Sequence, residues 1–181
     1  MAFLAKRTMT RVLLIVLTAA RLHAYGETFD EYSVKAVFLF NLAKFVEWPN
    51  QAFTSADEPF VVCVLGQDPF AAVMKDAVRG RVIGNKKVEV RDISDIQSAG
   101  KCHILFVSAS EHKRFRAILA EIKGDGVLTV GESAEFVGSG GMINLTLKDA
   151  RFHMEIDPDA AERAKLRISS KLLSLAEITR K

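Results

Sequence analysis

The sequence predicts an α/β fold: a mixed, largely parallel sheet flanked by helices, with a C-terminal β-hairpin and two terminal helices. Three observations predict it. Short continuous apolar runs bounded by turn residues recur at FVVCVLG (Phe60 to Gly66), CHILFVSAS (Cys102 to Ser110) and GVLTVGES (Gly126 to Ser133), the pattern of strands buried on both faces. Each run leads into residues at helical spacing or a short helical turn, the succession that yields parallel strands joined by crossover helices. The chain then changes character at GMINLTLKDARFHMEID, where two strand-like runs, Met142 to Leu147 and Ala150 to Ile156, are separated only by Lys148-Asp149, as in a hairpin.

Taken in order, the amino terminus places Lys6, Arg7 and Arg11 before the apolar run Val12 to Ala20, with Ala24 as a cleavage position. Residues 1–24 therefore read as a signal peptide, and residues 25–181 as a single α/β domain. The run is far shorter than the ~20 residues a spanning helix needs, so a soluble, exported chain with no membrane insertion after cleavage is the expectation, a retained membrane anchor being the weaker alternative. No cysteine lies near the end of the run to carry an acyl chain. About half of the chain is apolar (49%), enough for a normal core, and the net charge of +3 is small and spread out, which gives no reason to expect nucleic acid as a partner.

YSVKAVFLFNLAKFVEWP, Tyr32 to Pro49, reads as a helix that is apolar on almost every side. Its three charges, Asn41 and its length of roughly 24 Å at ~1.5 Å per residue argue against a membrane span. Helical angles place Val34, Phe38, Leu42, Phe45 and Val46 on a core face with Leu39 beside them; Ser33, Lys44 and Glu47 lie opposite, with Val37 and Phe40 in that polar sector. Val37, Phe40, Lys44 and Glu47 are thus candidates for a dimer or partner surface, and Lys35, directed into the apolar sector, is expected to snorkel to solvent. Further on, Asp68-Pro69 starts the helix FAAVMKDAV, KVEVRDI alternates as a half-exposed strand, and Ser108 or Ser110 caps EHKRFRAILAEIK. DPDAAERAKLRISSKLLSLAEITRK reads as two helices, the second capped at Ser169 or Ser170.

No catalytic, metal or cofactor set can be read. GESAEFVGSGG lacks both the GK[ST] ending of a P-loop and the GxGxxG spacing, although a backbone anion nest at Gly131, Glu132, Ser133, Gly140 and Gly141 needs no consensus. His103, His112 and His153 lie on separate elements, and VSASEH lacks the elbow that makes a serine reactive, which leaves capping as the role of Ser108 and Ser110. The only cysteines, Cys63 and Cys102, form an internal disulfide if the chain is exported, two buried free thiols being the alternative.

The combination of YSVKAVFLFNLAKFVEWP, VVCVLGQDPF, CHILFVS, VLTVGESAEFVGSGGMINL and RFHMEIDPDAAERAKLRISSKLLSLA resembles the YfiR-like family of periplasmic bacterial proteins, from about Tyr32 to Ala176. The resemblance implies a non-catalytic homodimeric regulator without a cofactor. It would bind the periplasmic domain of an inner-membrane diguanylate cyclase and so limit cyclic di-GMP and biofilm formation. Cys63 and Cys102 match the position of a family disulfide, whereas a second cysteine pair near the C-terminal hairpin is missing. The rival expectation is a small-solute or anion-binding module accessory to a membrane transporter or receptor, using the glycine-rich turn.

Overall fold

In the computed structural model, residues 31–180 are described, apart from 56, 68, 123–125 and 149–150. The expected signal peptide (residues 1–24), Asp68 of the predicted helix start, and Asp149 and Ala150 between the hairpin strands lie outside the described residues. The chain runs through helix α1 (residues 31–42), a 3-10 turn (Ala43–Phe45) and strand β1 (Val46–Glu47) to β2 (Phe60–Leu65). Next come α2 (Phe70–Ala77), β3 (Val82–Ile83), β4 (Lys86–Ile93), a 3-10 segment (Ile96–Lys101) and β5 (Ile104–Val107). A 3-10 turn (Ala109–Arg114), α3 (Phe115–Glu121), β6 (Leu128–Gly131), β7 (Ile143–Lys148) and β8 (Arg151–Ile156) lead to α4 (Pro158–Arg163), β9 (Arg167–Ile168), α5 (Ser170–Leu173) and β10 (Glu177–Ile178).

Eight strands form one sheet in the order β10-β8-β7-β6-β5-β2-β4-β3, and β1 and β9 make a separate antiparallel pair. From β4 through β2, β5 and β6 to β7 all neighbours are parallel; β3 and β8 pair antiparallel with β4 and β7, and β10 is parallel to β8. This is the mixed, largely parallel α/β class that the sequence predicts. Strand alternation divides the apolar runs between two cores. Phe60, Val62, Val64, Ile104, Phe106, Leu128 and Val130 pack with residues of α1, α2, α4 and α5 on one face. Val61, Cys63, Leu65, Leu105 and Val107 pack with Phe115 and Ile118 of α3 on the other. Two covered faces explain why these strands carry no polar alternation.

The helix starts follow from local chemistry. Asp157 accepts a hydrogen bond from the Ala160 amide (2.9 Å) ahead of Pro158, and Ser169 accepts one from Leu172 (3.3 Å). Ser108 receives the Ser110 amide at 3.3 Å, so it acts as a cap, as expected.

Besides the placement of Lys35, taken up with the site below, two expectations for the first helix fail. It does not run on toward Trp48: Val46 is extended and pairs with Ile168, while the Phe45 carbonyl accepts the Ser169 amide at 2.9 Å. Trp48, preceding Pro49, is itself biased toward extended backbone. The helix is also rotated relative to the angular assignment. Leu39 and Leu42 are buried and Val37 (42% exposed) faces outward as expected, but Ala36, Phe40 and Ala43 are buried too, whereas Val34 (46% exposed), expected in the core, faces outward. Phe40, expected in an exposed sector, is 4% exposed, its ring covered by the Lys44 ammonium at 4.5 Å and the Arg81 guanidinium at 5.1 Å.

His103 is a structural residue of the first core. Its ring lies against Phe53 and Phe60 (centroids 4.4 and 4.9 Å); Nδ1 accepts the Val61 amide at 3.0 Å, and Nε2 donates to the Ala52 carbonyl at 3.1 Å. Burial pushes its pKa below the ordinary value of 6.5. A histidine held neutral in the fold contributes stability that is complete above the unfolded-state value and is lost as pH falls from there through the lower folded value. Urea midpoints should therefore decrease between pH 7.5 and 5.5 in the wild type, and His103→Asn should lose most of this slope.

Candidate functional site

The chemistry absent from the sequence reading centres on Lys35. It is not directed to water: it is 4% exposed, and Nζ meets Glu132 Oε2 and Glu31 Oε1 at 2.6 Å each. Glu31 precedes it by one helical turn, the favourable order for such a pair. Glu132 follows β6, and its second oxygen accepts the Ala109 amide at 3.0 Å from the turn after β5. The cluster thus ties the first turn of α1 to the carboxyl ends of two central strands. Burial alone would pull the Lys35 ammonium down, but attraction by and hydrogen bonding to Glu132, then Glu31, hold its pKa above the ordinary value. An ammonium held in this way is an anchor and a poor general base. A lysine at a buried helical position and a glutamate directly after a buried strand were the two signals for this pair, but nothing in the sequence joins residues 97 apart.

The glycine-rich turn is built around Phe136. An added Cβ at Gly131 would lie 2.3 Å from a ring atom of Phe136, and one at Gly141 2.2 Å from another, so both positions need glycine for close approach. The amides of Phe136, Gly140 and Gly141 are bonded to the carbonyls of Ser133, Val137 and Phe136 at 2.9, 2.9 and 3.0 Å. The proposed nest therefore has its Gly140 and Gly141 amides engaged internally, and the anion beside it is the chain's own Glu132. Gly138 and Ser139 do line a cleft of about 600 Å3 with His112, Lys113, Phe115, Arg116 and Glu135.

Of the surface proposed on the first helix, Val37, Lys44 and Glu47 are exposed and Phe40 is not. Lys44 bonds Asn41 Oδ1 at 3.0 Å, and Glu47 lies 3.6 Å from Arg167. Val34 and Val37 form the outward stripe. Phe38, half-buried, stacks on Phe152 at 5.5 Å, and Phe152 pairs across the hairpin with Leu147, which is 36% exposed. An outward apolar stripe and an apolar hairpin edge thus belong to one side of the sheet. Cys63 and Cys102 form the expected disulfide, Cα–Cα 5.8 Å. Among the described residues no group of three metal-ligating side chains occurs, and no helix is long and apolar enough to cross a membrane.

The fold thus combines a mixed sheet, covered on both faces at its central strands, with an apolar helix side, an internal ion cluster and one disulfide staple. A protein-family model described as YfiR/HmsC-like matches residues 32–177. The chain belongs to the YfiR/HmsC-like family. No curated protein matches it. Among solved structures, it is similar to a conserved domain protein from Vibrio cholerae (13% identity, 67% of this chain and 54% of that chain, TM-score 0.51). It also matches an ABC domain in complex with L-Trp from Streptococcus pneumonia (10% identity, 66% and 55%, TM-score 0.49). The chain spans about half the length of these structures, and the Vibrio likeness speaks to fold alone.

Proposed function

We propose that the chain is a non-catalytic regulator of the periplasm. In this reading a homodimer binds the exported domain of an inner-membrane diguanylate cyclase, holds it inactive, and so limits cyclic di-GMP and biofilm formation. The observation that carries it is the family match over residues 32–177, which supports a periplasmic regulator in general terms. The contact surface we assign is the outward stripe of α1, with Val34 and Val37 as its apolar members, together with the exposed Lys44 and Glu47 of the turn and strand that follow; Phe40 lies beneath the Lys44 ammonium. Exposed valines on a helix otherwise packed into the core are a feature that docking would account for.

Deleting the gene should raise cellular cyclic di-GMP, and expression of the wild type should return it to the starting level. Val37→Asp should fail to do so while keeping its fold, since a surface substitution of this kind shifts stability by only about 0.5 kcal/mol. Unchanged cyclic di-GMP on deletion would remove the regulatory role; full repression by Val37→Asp would move the contact elsewhere. The solute-binding alternative is favoured by the basic cleft beside the glycine-rich turn. It ranks second because the Gly140 and Gly141 amides there are already bonded.

A further inference from the structure

The second face of the sheet is covered only in part. Phe136 closes it over β6, and among the described residues the second core includes none of β7, β8 or β10. Strand register sets Gly131, Asn144, Glu155 and Glu177 in one row across β6, β7, β8 and β10. The last three, with Thr146, His153, Ala134 and Leu175, line a cleft of about 210 Å3.

The cleft has a surplus of acceptors. Asn144 is 3% exposed, yet its Oδ1 has no hydrogen-bond partner among the described residues. A buried acceptor left unpaired is costly and rare in native folds. Glu155 and Glu177 stand directly opposite each other, a like-charge arrangement that disfavours strand pairing. Glu155 accepts the Thr179 hydroxyl at 2.7 Å, and among the described residues neither carboxylate has a cationic partner. This acidic row sits on a chain whose net charge is +3, so the local sign opposes the overall one. Leu175, 73% exposed, offers an apolar wall at the rim.

We propose that this cleft binds a guanidinium or primary ammonium group carried on an alkyl stem. The head donates to Asn144 Oδ1 and to the Glu155 and Glu177 carboxylates, while the stem lies along Leu175. A guanidinium fork suits this row best, because its several donors can meet an amide oxygen and a carboxylate together. The group comes either from a free small cation or from an arginine side chain of a bound protein; the inference does not depend on the regulatory reading.

Calorimetric titration of the exported chain with agmatine, with a blocked Gly-Arg-Gly peptide and with neutral N-butylurea tests it. Saturable binding of agmatine and peptide, or of one of them, is expected, with none for butylurea; agmatine alone identifies a free solute and peptide alone a protein-borne arginine. Glu155→Gln should weaken binding about tenfold or more, the loss of one charge-assisted hydrogen bond. Amide chemical shifts of the wild type, which need no variant to fold, should change at residues 144–146, 153–155 and 177. Absence of saturable binding, equal binding of butylurea, binding untouched by Glu155→Gln together with Glu177→Gln, or shift changes confined to other residues would each overturn the proposal.

Discussion

Lys35→Met should destabilise the fold by about 3–5 kcal/mol, the usual effect of stranding one member of a buried ion pair. Methionine keeps the stem's packing but leaves Glu132, whose side chain is 5% exposed, with the Ala109 amide as its hydrogen-bond donor. The cost is then chiefly the desolvation of an uncompensated carboxylate. Two controls separate this from lost packing. Adding Glu132→Gln to Lys35→Met removes the stranded charge while retaining an acceptor for Ala109, so most of the loss should return. Glu31→Gln alone should cost under about 1 kcal/mol, because its side chain is 32% exposed and water can substitute for the lysine. Urea unfolding at constant m-value is the measurement. A single variant costing less than about 1 kcal/mol would show that water reaches Glu132 and that the cluster is not an anchor. Because the cluster joins α1 to the ends of β5 and β6, the same variant should loosen the helix that presents Val34 and Val37.

The central strands were legible because burial on both faces leaves no polar alternation, and α4 and α5 because Asp157 and Ser169 cap them through local hydrogen bonds. The two-residue strands β1, β3, β9 and β10 have too few residues for any periodicity to show. Their partners are also distant: Val46 pairs with Ile168, and Glu177 with Glu155. The end of α1 was missed for the same reason, since it is set by a strand more than a hundred residues away. The rotation of α1 has a different origin. An angular projection centres the core on the densest apolar cluster, whereas here the buried side includes a lysine neutralised by Glu132, and aromatic burial at Phe40 is completed by Arg81. Lys35 cannot be assigned to the interior, nor the exposed Arg81 to the Phe40 ring, before the partner is known. The glycines of GESAEFVGSGG drew attention correctly, but they admit an internal phenyl ring, and a ring and a ligand leave the same sequence trace. The acceptor row at Asn144 was invisible altogether, because it exists only once strand register is set.

Removing the disulfide with Cys63→Ala and Cys102→Ala should lower stability by about 4 kcal/mol, the chain-entropy value for a loop of ~40 residues. The cysteines are 39 positions apart, and the bridge joins β2 to the residues entering its neighbour β5. In the unfolded chain it holds together two segments whose parallel pairing otherwise requires closing a long loop, so its loss acts chiefly on the unfolded state. Alanine avoids burying a hydroxyl in the second core, where Cys63 is 0% and Cys102 5% exposed. The same burial predicts a kinetic result. A thiol reductant should act slowly on the native protein and rapidly once urea opens the α3 side of the sheet, because the attacking thiolate must reach a sulfur that the fold covers. Intact mass of the exported protein under non-reducing conditions should be lower by two hydrogens than after reduction. Two alkylatable thiols in that native material would show that the staple is absent, and the stability difference between wild type and the double alanine variant should then fall to that of core packing alone.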